Sequence, residues 1–90
     1  MATLPADQMQ VALYTRRGCH LCDQALDLLQ RRGLTVQLID ISQSEELTNQ
    51  YGLQIPVVEI DGRVRFRGHV QPLLLQRLIN HAAACVPNKT

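Results

Sequence analysis

Tryptophan is absent from this 90-residue chain, and Phe66, Tyr14 and Tyr51 are its only aromatic side chains. A surface that stacks nucleobases needs more rings than that, so no nucleic-acid platform is expected. Neither charge is in excess: nine Lys+Arg face eight Asp+Glu, for a formal charge of +1. That balance argues against a basic nucleic-acid footprint and against a polybasic membrane anchor. No run of about 18 apolar residues occurs, so no transmembrane helix is expected. Met1–Gln10 lacks a basic segment followed by an apolar stretch, and no secretory signal is read there. Cysteine is sparse too. Cys19, Cys22 and Cys85 make an odd number, too few to staple a secreted scaffold. The expected setting is a reducing compartment, the cytoplasm, where a close cysteine pair serves catalysis or metal binding.

What is present is an ordinary globular mixture, 46% apolar and 19% charged. Without repeats or linkers, residues 1–90 read as one domain with an ordered core over about 9–85. The apolar run Met9–Tyr14 suits a buried strand. From Leu21 the period changes: Leu21, Ala25, Leu28 and Leu29 share one face of a helix, with Arg31 and Arg32 in its last turn and Gly33 as the stop. Thr35–Ile41 reads as a second buried strand, which makes a right-handed βαβ unit with parallel strands. Ser42 is expected to open a short helix, with Glu45 completing a capping box and Tyr51-Gly52 ending it. Val57–Ile60 and Val64–Phe66 flank Asp61-Gly62-Arg63, a hairpin signal. In the second arm Arg63, Arg65 and Arg67 alternate with Val64 and Phe66, so one face should be buried and the other charged. Leu74, Leu75, Leu78, Ile79 and Ala82 then line a closing core helix from about Val70 to Ala84. The order β-α-β-α-β-β-α is an α/β fold of the thioredoxin-like kind: a mixed four-stranded sheet with helices on both faces.

The chemistry concentrates in Cys19-His20-Leu21-Cys22, between the first strand and the first helix. Cysteines three apart at a helix start reach each other as a disulfide, and the unpaired N–H groups there favour a thiolate. Cys19, nearer the end, should be the more exposed and more acidic. Cys22, in line with Ala25 and Leu29, should be partly buried, as suits a resolving thiol. His20 either stabilises a thiolate or is a solvated loop side chain.

A zinc site is the competing arrangement, since Cys19, Cys22, His81 and Cys85 form a Cys₃His set on paper. The last helix starts beside the Cys19 loop and runs away, carrying Cys85 roughly 20 Å from Cys19 at 1.5 Å per residue. No metal is therefore expected, and Cys85 is most simply a packed or half-exposed thiol. Gln54-Ile55-Pro56-Val57 offers either a proline at a strand start or a cis peptide. The loop would face the cysteines and leave the Ile55 backbone free to pair with an extended substrate. His69, where the fourth strand meets the last helix, lies beside the same cleft as a partner contact or a surface residue. The arginine face of the hairpin is read as solvated.

Taken together, Tyr14-Thr15-Arg16-Arg17-Gly18-Cys19-His20-Leu21-Cys22, Gln54-Ile55-Pro56 and Asp61-Gly62 resemble the glutaredoxins. They look most like small bacterial glutaredoxin-like proteins bearing Gly-Cys-His-Leu-Cys. The resemblance runs from about Val11 to Ile79. It implies a thioredoxin fold, Cys19 as nucleophile, Cys22 as resolving thiol, a cis Pro56, and Arg16 gripping a glutathione carboxylate. The family's Gly-Gly-x-Asp segment, which holds the γ-glutamyl end, corresponds here to Arg67-Gly68-His69-Val70, with one Gly and the Asp replaced. Glutathione or a thioredoxin-reductase system is accordingly the expected electron donor, and no bound cofactor is implied.

Three functions follow. The first is a monomeric dithiol oxidoreductase acting on protein or glutathione-mixed disulfides, without nucleic-acid or membrane partners. The others are a small metal- or cluster-binding protein and a redox-inert binding module. The Cys19–Cys22 pair, with no strongly oxidising Pro-His step between its members, is expected to cycle at about −200 to −270 mV. Equilibration in glutathione redox buffers measures this, and a pair that stays reduced in every buffer excludes the oxidoreductase.

Overall fold

A computed structural model describes residues 9–84, with backbone only for 82–84. Strand β1 (Val11–Thr15) lies inside the sheet β2-β1-β3-β4. It pairs in parallel with β2 (Val36–Asp40) and antiparallel with β3 (Val57–Ile60). Strand β4 (Arg63–Arg67) pairs antiparallel with β3 and forms the other margin. The hairpin between them turns at Asp61 (φ 51°) and Gly62 (φ 85°), the two positive φ values a type I′ turn demands. Thus the order and topology read from the sequence are those of the structure.

Helix α1 (His20–Arg31) buries Cys22, Ala25 and Leu29. It ends in a Schellman motif: Gly33 (φ 82°) donates to Gln30 O at 3.0 Å and Leu34 to Leu29 O at 3.2 Å. The apolar partners Leu29 and Leu34 both join a core with Val11, Leu13, Val58, Ile60, Phe66, Val70 and Leu75. That core lies between the sheet and α1 with α3 (Pro72–Ala84). On the opposite sheet face, α2 (Glu45–Tyr51) covers a smaller cluster of Ile41, Tyr51 and Val57. No helix among the described residues is long and apolar enough to cross a membrane.

The structure corrects five local expectations. First, Thr35–Ile41 is not a buried strand: β2 is a sheet margin with a neighbour on one side, and Leu38 is 53% exposed. Second, Ser42 does not open a helix. The Asp40 carboxylate accepts from the Ser42 N–H (2.9 Å) and hydroxyl (2.7 Å), holding a single 3₁₀ turn over Ile41–Gln43. Those bonds also keep the Asp40 carboxyl below its usual range. Ser44 is the true cap of α2, accepting from Leu47 N–H at 3.2 Å, while Glu45 and Glu46 sit in the first turn where the helix dipole favours them.

Third, a bulge between Val58 and Glu59 in the β3/β4 register sets Val64 opposite Glu59 and Phe66 opposite Val58. Val64 therefore packs with the α2-side cluster and Phe66 with the other core, so the arm is not split into one apolar and one charged face. Fourth, α3 begins at Pro72, as suits a first-turn proline, with Leu75 buried and Leu74 43% exposed. Ala82 lies among residues whose side chains are not described. Fifth, Leu21 points outward at 51% exposure, and Cys22 takes its place on the buried stripe of α1.

Beneath α2, the Tyr14 hydroxyl donates to Glu59 Oε1 at 3.1 Å, and its ring lies 4.7 Å from that of Tyr51. Burial first, and the Glu59 carboxylate second, raise the Tyr14 pKa above 10. A phenol held neutral stabilises the fold fully below the unfolded value near ~10, and loses that contribution as pH rises through the folded value. Tyr14→Phe should cost about 0.5–1.5 kcal/mol at neutral pH, the worth of the lost hydrogen bond. It should also flatten the decline in stability above about pH 10. Denaturant titrations at neutral and alkaline pH of both proteins measure the two effects.

Candidate active site

Strand β1 hands over to α1 through a tight turn. Cys19 N–H bonds back to Arg16 O at 3.3 Å, and Gly18 has φ 83°, the positive value that a side chain would oppose. Cys19 is left extended (φ −91°, ψ 103°) as the N-cap of α1. Its Sγ accepts the Cys22 N–H at 3.1 Å, and its carbonyl accepts from Asp23 N–H at 3.1 Å. Thus the sulfur fills the role that a serine or aspartate oxygen usually plays at this position. The Sγ atoms of Cys19 and Cys22 are joined as a disulfide, with Cα atoms 5.2 Å apart. Cys19 is half-buried and Cys22 is 2% exposed, the asymmetry expected of the pair.

Two further loops reach the same end of the sheet. Tyr14 pairs with Val57, so the cis Ile55–Pro56 peptide lies just past the end of β1, on the side leading to Cys19. Gly68 follows Arg67, the partner of Val57, and its N–H donates to Pro56 O at 2.8 Å. The β4–α3 connection is thereby pinned to the proline loop. A groove of about 200 Å³ runs between Leu21, Gln24 and Leu28 on α1 and Gly68, His69 and Pro72 beyond β4. His20 opens α1 and is exposed, as is His69. Ile55 is half-buried against the α2-side cluster.

Arg16 is engaged: its Nη2 donates to Gly52 O at 3.2 Å, tying the Cys19 turn to the end of α2. This leaves fewer guanidinium donors for a ligand than the resemblance implied. Sequence reasoning missed two residues here. Leu21 falls on the periodic face of α1 yet is exposed, and Leu53, beside Gly52 and outside any element, is fully exposed. Leu53 carried a signal, being an apolar residue outside any periodic pattern. Among the described residues, no group of three or more His, Cys, Asp or Glu is placed to hold a metal. Cys85, the fourth member of the zinc set, lies outside the described residues.

Comparison with known proteins bears on this arrangement. The family model described as Glutaredoxin-like domain (DUF836) matches residues 10–80. A Bacillus subtilis protein, N-acetyl-S-hydroxy-L-cysteine reductase, is 29% identical over 68 residues, covering 70% of this chain and 73% of its own. An X-ray structure of a structural-genomics target from X. campestris is similar at 32% identity and TM-score 0.69, over 80% of this chain and 97% of that one. A thioredoxin from Halobacterium salinarum, at 20% identity, shares the fold: TM-score 0.63 over 90% of this chain and 80% of its own.

The burial difference sets an order of thiol reactivity. After reduction, Cys19 should alkylate at least about tenfold faster than Cys22, because it combines exposure with the helix-end N–H donors. Cys22→Ser should keep the fast phase and Cys19→Ser should abolish it. Timed iodoacetamide labelling followed by mass spectrometry measures both.

Proposed function

The chain belongs to that family of glutaredoxin-like domains, and from this premise we propose a dithiol–disulfide oxidoreductase that reduces protein disulfides or glutathione-mixed disulfides. One observation carries the reading: a Cys19–Cys22 disulfide at a helix N-terminus, with Cys19 half-buried and Cys22 fully buried. In the reduced protein the Cys19 thiolate attacks one sulfur of the substrate and expels the other as a thiolate, leaving a mixed disulfide. Cys22 then attacks Cys19 Sγ, releases the second substrate thiol and closes the intramolecular disulfide. Two electrons pass to the substrate, and a donor must return them. A reducing compartment suits that cycle.

The Cys22 N–H aimed at Cys19 Sγ stabilises its thiolate, both as attacking group and as leaving group. The Ile55 backbone would pair with the substrate main chain ahead of cis Pro56, and Gly68 with His69 would border the far side of the groove. Arg16 and His20 would meet a carboxylate or the departing thiolate from the near side. The chain would act as a monomer, with a disulfide-bearing protein or glutathione as partner.

A second substrate reading rests on the Bacillus subtilis relative, whose name makes it a reductase of an S-hydroxy thiol. The same Cys19 thiolate would attack the sulfur of R–S–OH. It would release hydroxide, which takes up a proton as water, and Cys22 would then free R–SH. The groove beside Leu21 and His69 is of a size for a small acylated cysteine.

Trapping with Cys22→Ser in cell extract is the decisive experiment. A protein or glutathione held on Cys19 supports the first reading, a small N-acylated cysteine other than glutathione supports the second, and no adduct in oxidised extract rejects both. The donor is separable. The replaced Gly and Asp of the γ-glutamyl grip remove one or two charge-assisted hydrogen bonds of roughly 1.5–3 kcal/mol each. Glutathione should therefore be bound about ten- to ten-thousandfold more weakly than by a complete site, taking about 1.4 kcal/mol per decade. Turnover with glutathione should be slow, and faster with a thioredoxin-reductase system. Rapid saturable turnover at micromolar glutathione contradicts this.

A further inference from the structure

The charges of this chain are balanced in number but not in place. After Asp61 there is no Asp or Glu, while Arg63, Arg65, Arg67, Arg77 and Lys89 all fall in that final segment. Three of these arginines project from β4, a sheet margin, and Arg77 from α3 beside it. All four are exposed, and among the described residues none of their side chains takes part in a hydrogen bond or ion pair. Like-charged guanidiniums without a counter-ion repel one another, so their grouping costs stability unless something acidic is brought to them.

The same margin carries a groove of about 450 Å³ between β4 and α3, lined by Arg65, Phe66, Leu74, Arg77, Leu78 and His81. Phe66, Leu74 and Leu78 are its apolar lining, and Arg65 and Arg77 border it from opposite elements. Leu74 is 43% exposed and the neighbouring Leu73 is 71% exposed, so apolar surface continues along the helix. The β3/β4 bulge and the exposed arginines disfavour plain strand addition at this edge, which points to recognition by side chains. Arginine forks match carboxylates in a bidentate way, and an apolar slot between them takes an apolar anchor. A concave slot on a chain of net charge +1 suits a protein segment better than a flat anionic bilayer.

We propose that this groove docks an acidic protein segment. Its carboxylates pair with Arg65 and Arg77, and an apolar side chain between them rests on Leu74 and Leu78. From Pro72, at the border of the groove beside α1, α3 runs on past Leu74 to His81, and the proposed slot includes neither cysteine. The proposal is independent of the redox reading.

The test uses the full chain, oxidised and reduced, and a fluorescein-labelled peptide of glutamates interrupted by two leucines. A second peptide with glutamine in place of glutamate is the control. Saturable binding of the acidic peptide is expected, with amide shifts confined to Arg63–Arg67 and Leu73–His81 in ¹⁵N NMR spectra. Arg65→Glu/Arg77→Glu should weaken binding at least about tenfold, and added salt should weaken it in the wild type. Unfolding curves and spectral dispersion confirm that the variant stays folded. Several results overturn the proposal: no binding, equal binding of the glutamine peptide, unchanged binding by the variant, or shifts centred on the Cys19 turn. Stronger retention on phosphatidylserine vesicles than on the peptide, or self-association through this face in sedimentation, overturns it as well.

Discussion

Cys19 Sγ accepts the Cys22 N–H at the point where an extended strand becomes a helix, and the rest of the site is arranged around that contact. A helix start needs an acceptor for its unpaired N–H groups, and here the acceptor is the sulfur available for chemistry. Capping and reactivity are therefore not separable demands on this position. The turn that delivers Cys19 depends in turn on Gly18, whose φ of 83° is costly for any residue with a Cβ. Downstream, Cys22 occupies the first buried position of α1, followed by Ala25 and Leu29. The packing that holds the helix on the sheet thus also holds the second sulfur out of solvent.

Sheet register supplies the other half of the site. Thr15, the cis Pro56 and Gly68 bound three neighbouring backbone segments at one end of the sheet, and the Gly68 N–H to Pro56 O bond joins two of them. Arg16, bonded to Gly52 O, adds the end of α2 to the same assembly. Loops far apart in sequence are placed by strand pairing rather than by contacts of their own. Leu21, on the first turn of α1, and Leu53, following the Gly52 that Arg16 bonds, are exposed apolar side chains. The basic margin formed by β4 and α3 is a separate surface, drawn from the segment after Asp61, which holds no Asp or Glu.

Much of this was legible in the residues because it is local. A 3.6-residue period places α1, an Asp-Gly step places the hairpin, and a Gly after Arg31-Arg32 stops a helix; each depends on a few neighbours. The cysteine pair at the strand–helix junction and the proline loop facing it were recognisable on the same terms. The errors have two causes, strand pairing and local competition among caps. Whether Thr35–Ile41 is buried depends on how many strands flank it, and whether Val64 and Phe66 share a face depends on a bulge in their pairing. Likewise the choice among Asp40, Ser42 and Ser44 as caps is a competition among nearby acceptors that differ little in energy. Periodicity and turn chemistry by themselves determined which elements form, in what order, and where the reactive sulfurs lie. Tertiary structure decided which apolar side chains face water and which loops meet, because those outcomes turn on pairing between segments remote in the chain.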